Sequence, residues 1–211
     1  MVRKSSADLA AAPGVPILAG QRARGGILAL MRDGEPKPEE YSPVTNPGRF
    51  AVLHDAAEHL LDELTEHYTV ERREAKEPLG EELYRTVRLV PRMPAAAPLA
   101  VAFTEFPSVV LKLGRWYEES LPNCGCDACD EQPDLLAEQL RSQASALVEG
   151  GLWERVRRGV GGSWSEVCLI GRDLNVRRET LLDSAEARSA RREGFAAAVQ
   201  WAPWPRRSAV A

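Results

Sequence analysis

The chain has 211 residues, enough for one well-buried domain with length left over for tails. Apolar residues make up 44% and charged residues 27%, a globular balance, and the net charge of −4 gives no electrostatic reason to seek a nucleic acid or anionic membrane partner. No apolar run approaches the roughly 20 residues of a spanning helix, so a soluble protein is expected.

Residues 1–40 mix Ala, Gly, Pro and charge without periodicity and read as a disordered N-terminal arm. Arg3 and Lys4 precede a mildly apolar stretch, but Asp8, Pro13, Gly14 and Pro16 interrupt it. A secretory signal needs an unbroken apolar segment of about 7–15 residues, which this is not. Met31 stands as an alternative translation start. Of the four cysteines, three are crowded together, unlike a spread-out disulfide framework, so the expected setting is the cytoplasm with reduced thiols.

Order is expected from Tyr41. Asn46 followed by Pro47 suits a helix entry, the Asn capping free amides and the Pro losing no hydrogen bond. Phe50, Leu53, Ala57, Leu60, Leu61, Leu64 and Tyr68 then form one apolar stripe, predicting an amphipathic helix of about five or six turns. Strands follow at Tyr84–Val90, Pro98–Phe106 and Ser108–Glu118, with an earlier edge strand over Thr69–Glu74. Short Pro-containing links between them predict an antiparallel meander.

A second helix is predicted over Gln132–Val148, ended by Gly150 and Gly151, and then a hairpin from Trp153–Arg158 through GVGG to Ser163–Ile170. A last helix starts at Asp183, with Glu186 completing a capping box, and runs to about Gln200. Its continuation, WAPWPRR, cannot stay helical past its prolines. The expected fold is α+β: an antiparallel meander sheet with helices packed on it, a single domain over 41–207, with 208–211 a tail.

The chemistry concentrates in NCGCDACDEQPD, Asn123–Asp134, where the third predicted strand gives way to the second helix. Cys124 and Cys126 flank a glycine, and Cys126-x-x-Cys129 has the half-site spacing of structural zinc. A zinc-type ion held by Cys124, Cys126 and Cys129 would need a fourth ligand. The candidates are Cys168, Asp127, Asp130, Glu131, or one of His54, His59 and His67 on the first helix.

A redox or nucleophilic thiol is the competing reading. The nearby carboxylates argue against it, since like charge raises a thiol pKa, whereas a dication would reverse that effect. The third possibility is an inert turn, with Asp127, Asp130, Glu131 and Asp134 serving only the dipole of the next helix.

Other clusters read as structural. Asp55, His59, Asp62 and Glu66 line the solvated face of the first helix. GVGG precedes a strand, not the helix a phosphate loop requires. Arg188, Arg191, Arg192, Arg206 and Arg207 lie near Trp201 and Trp204, but Glu179, Asp183, Glu186 and Glu193 dilute their charge. The tryptophans are therefore expected to pin the tail to the core. No nucleophile–base–orienter set can be assembled, so the expected role is binding or structural, with any partner expected to be a protein and no catalytic residue assigned.

Three segments taken together, YSPVTNPGRF, the block from TVRLVP through VAFTEFP to CGCDACDE, and WAPWPRR, carry a resemblance. They are similar to a bacterial family of domains of unknown function, found mainly among high-GC actinobacteria, over about Tyr41 to Arg207. The resemblance implies a bacterial cytoplasmic protein with the N-terminal arm outside the domain. It implies no activity, ligand or catalytic residue.

Overall fold

The structure, a computed structural model, describes residues 43–208. The arm expected over 1–40 and the last three residues lie outside the described residues. A 3-10 turn at Pro47–Ala51 leads into α1, Val52–His67. Pro47 opens the turn as expected, but the Asn46 side chain makes no capping hydrogen bond. The stripe from Phe50 to Leu64 is buried as the periodicity requires, and Asp55, His59, Asp62 and Glu66 are exposed.

Five strands follow or flank the expected positions: β1 Val70–Leu79, β2 Glu82–Pro91, β3 Leu99–Phe103, β4 Val109–Leu113 and β5 Tyr117–Leu121. They pair in chain order as an antiparallel meander. Register aligns Leu89, Leu99, Leu113 and Tyr117 across four strands, and alternation puts Val87, Val101, Leu111 and Val109 on the same face. All of these belong to the main core.

The single strand expected over Ser108–Glu118 is two strands. Gly114 takes φ +61°, and a Cβ there would lie 2.6 Å from a carboxylate oxygen of Glu154. That carboxylate accepts the amides of Arg115 and Trp116, which fixes the turn. Nothing in the local sequence reveals the buried acid, because it comes from the second sheet.

After α2, Pro133–Val148, come β6 Leu152–Gly159, β7 Gly162–Ile170 and β8 Asn175–Leu182, then α3 Ser184–Arg192 and β9 Val199–Gln200. The second sheet has the order β8-β7-β6-β9, so the domain carries two antiparallel sheets rather than one. The GVGG segment is the β6–β7 hairpin turn, as expected. β8 escaped the sequence reading because NVRRETLL lacks an apolar face; its arginines pair with acids of both sheets, Arg177 with Glu166 of β7 and Arg178 with Glu119 of β5.

Asp183 caps α3, accepting the amides of Ala185 at 2.7 Å and Glu186 at 2.9 Å. The Glu186 side chain does not close the capping box. It accepts from Arg115 and from the Trp116 indole instead. The helix stops at Arg192 rather than near Gln200, since Gly194 turns the chain at φ +99° and Phe195 seals a small cluster with Val156 and Ala190.

The two sheets are tied together by α2, which packs on both β4 and β7, and by the chain after α3. That chain bonds Trp201 N–H to Leu152 O, Ala202 N–H to Ala95 O, Trp204 N–H to Val148 O and Arg207 N–H to His67 O, and its Pro205 carbonyl accepts Thr69 N–H. Trp204 is buried and Trp201 half-buried, so the tryptophans pin this segment as expected.

Glu154 also accepts the Trp201 indole N–H at 2.8 Å. Burial raises its carboxyl above the ordinary 4.5, opposed by the amides of Trp116 and Arg115 and by Trp201. A raised folded-state pKa means that this group favours the fold most at pH below the unfolded value, and that the contribution is lost as pH rises through the folded one. The unfolding free energy of the wild type relative to Glu154→Gln is therefore expected to fall as pH rises above 4.5. Paired denaturant titrations across the acid range measure it, and a difference independent of pH would contradict the assignment.

Candidate metal centre

The thiol loop runs from the end of β5 to the start of α2. Pro122 follows Leu121 and ends the strand's ladder. Gly125 sits at φ +76°, and a Cβ there would lie 2.8 Å from the Phe106 ring. Only glycine meets both conditions, and its turn folds Cys124 back toward Cys126.

The Sγ atoms of Cys124, Cys126 and Cys129 all lie within 4.8 Å of one another. Zn–S bonds of about 2.3 Å in a tetrahedron separate the sulfurs by about 3.8 Å, so the cluster needs only a small contraction to close on an ion. All four cysteines are free thiols; Cys126 is buried, whereas Cys124 and Cys129 are exposed.

The acids do other work. Glu131 folds back over the loop, its carboxylate accepting the amides of Asn123, Cys124 and Gly125, each at 3.0 Å. It is the loop's internal clasp. Asp127 accepts Thr45 N–H at 3.2 Å and donates its own N–H to Pro43 O at 3.1 Å. Asp130, at φ +45°, lies 3.7 Å from the Arg49 guanidinium, which itself stacks on Phe50.

The segment before α1 is thus fastened onto the thiol loop. The sequence reading missed Thr45, Arg49 and the clasp role of Glu131; Thr45 bonds a residue 82 positions away, a distance at which no local spacing gives a signal. Only Asp134 lies in the first turn of α2, so the dipole explanation fails for the other three acids.

None of the expected fourth ligands joins the cluster among the described residues. Cys168 lies on β7 between Trp153 of β6 and Arg177 of β8, on the opposite face from Leu169 and Val167, and burial raises its thiol pKa. His54 Nε2 lies 3.0 Å from Ser108 O, His59 is on the solvated face of α1, and His67 Nδ1 lies 2.9 Å from Glu63 O.

The cluster is electrostatically uneven. Cys126 is held below its ordinary thiol range, first by the Cys124 S–H, then, against the cost of burial, by hydrogen bonding from Cys129 and the Ala128 amide. Cys129 is pushed up to about 12, first by desolvation and then by the sulfurs of Cys126 and Cys124. The lowering at Cys126 runs contrary to the expectation from charge counting; Asp127 and Glu131 face amides and Asp130 faces Arg49. A lowered thiol pKa favours reactivity, but Cys126 is only 2% exposed, and a nucleophilic thiolate needs access. The arrangement can hold one soft ion in a cradle of three sulfurs.

No helix among the described residues is long and apolar enough to cross a membrane. No curated protein and no solved structure matches the chain. A family model does match, over residues 19–208, starting upstream of Tyr41, and it bears out the resemblance to domains of unknown function. By that match the chain belongs to the family of unknown function DUF6226.

Proposed function

We propose that this protein is a cytoplasmic metal-binding protein that holds one zinc-type ion with Cys124, Cys126 and Cys129, and that the role of the ion is to fix the loop joining the first sheet to α2. The observation that carries the reading is the convergence of the three sulfurs within 4.8 Å. The Glu131 clasp supports it, because its bonds to the amides of Asn123, Cys124 and Gly125 hold the backbone that carries the first thiols. The domain is taken as residues 41–207, and any partner as another protein.

Purified full-length protein is expected to carry about one zinc per chain by elemental analysis. Cys126→Ser should lose it and unfold at lower temperature, as wild type should under a strong chelator. Glu131→Ala keeps every ligand and is expected to weaken zinc about 10–100-fold. Folded, metal-free protein with every thiol open to titration and no uptake of added zinc would sink the proposal.

A further inference from the structure

Resting on that reading, we propose that the fourth coordination position belongs to an exogenous thiol, so that the site presents its ion to small sulfur ligands. The geometry of the loop leads there. Cys126 is buried beneath the cluster while Cys124 and Cys129 are exposed, which gives the three sulfurs one face toward the protein and one toward solvent.

The acids beside them are committed elsewhere. Both Glu131 oxygens take backbone amides, Asp127 holds Thr45, and Asp130 faces Arg49. Cys168 belongs to the outer face of the other sheet. Sites closed by protein on all four sides serve structure alone, whereas three protein ligands leave a position for water or substrate.

The donor set selects the class of ligand. Three thiolates outweigh a dication by one negative charge, so water bound there is a weaker acid than at a site of neutral imidazoles. Hydroxide chemistry is thereby disfavoured, and a sulfur-rich shell matches a soft sulfur ligand. Binding is an exchange: the incoming thiol gives its proton to solvent, its sulfur bonds to the ion, and a water leaves. Nothing is oxidised or reduced.

The test loads the full chain with Co(II) and titrates it with 2-mercaptoethanol, following the visible and sulfur-to-cobalt charge-transfer bands. The expected result is one cobalt per chain with a spectrum of three sulfurs. It should then convert saturably to four, with charge-transfer intensity rising by about one third as the fourth Co–S bond forms. X-ray absorption of the zinc protein should change in parallel, from three sulfurs and one light atom to four sulfurs.

A cobalt site that ignores millimolar thiol overturns this inference and leaves the metal reading standing. So does a four-sulfur spectrum before any thiol is added, whether it vanishes in Cys168→Ser or accompanies dimerisation. Failure to take up cobalt or zinc at all overturns both.

Discussion

Trp204→Ala is expected to lower stability by about 3–5 kcal/mol, the range for removing a buried aromatic from a packed core. Trp204 is 3% exposed, packs edge-to-face on Tyr68 at 5.7 Å between ring centroids, and donates its indole N–H to Ala97 O at 2.9 Å. Truncation removes the ring, opens a cavity and leaves the Ala97 carbonyl without its donor. At about 2–4 °C per kcal/mol for a domain of this size, Tm should fall by about 6–20 °C. Trp204→Phe separates the contributions. It restores most of the packing and should cost about 1–3 kcal/mol, largely for the orphaned carbonyl. Calorimetry that finds the two variants equal would show that the indole hydrogen bond, and not the ring, holds the segment.

The second large effect is asymmetric. Glu166 on β7 is fully buried yet ionisable, and it is paired with Arg155 at 2.5 Å and with Arg177, both of which are substantially exposed. Replacing both arginines by methionine leaves a buried carboxylate without a cation and should cost about 3–5 kcal/mol. Replacing the acid instead, Glu166→Met, leaves two arginines that solvent can accommodate, and should cost clearly less. Either single arginine variant should fall between, since one cation remains. Chemical denaturation of the four variants ranks them, and a Glu166→Met protein as unstable as the double arginine variant would refute the explanation.

Much of the architecture was legible because it is written in period. The stripe of α1 and the alternation of Leu99, Val101 and Phe103 each declare a buried face without help from distant residues. What could not be read were choices made by long-range partners. The turn at Gly114 exists because Glu154 reaches across from another sheet to cap its amides. β8 is a strand in which Glu166 of the adjoining β7 and Glu119 of the other sheet neutralise arginines, pairings visible only once both sheets are in place.

The candidate site divides in the same way. Three thiols in six residues with a glycine between two of them left convergence and an inert turn both open, and the sulfurs lie within 4.8 Å of one another. Carboxylates one or two positions from a cysteine, Asp127, Asp130 and Glu131, seemed equally suited to bind the ion or to oppose a thiolate, and none of them joins the sulfur cluster. Asp127 and Glu131 accept backbone amides and Asp130 faces Arg49, which a count of charges in a window does not register.

The crossing of the segment after α3 has a consequence for how the chain comes into being. Its hydrogen bonds to His67, Ala95, Val148 and Leu152 join residues separated by as much as 140 positions. A chain emerging in order can form α1 and the first meander early, but β6 keeps an open edge until Val199 and Gln200 arrive, and the Tyr68 region waits for Arg206. Folding is thus completed after synthesis has passed Arg207, and the waiting edges are where a nascent chain would mispair with its neighbours.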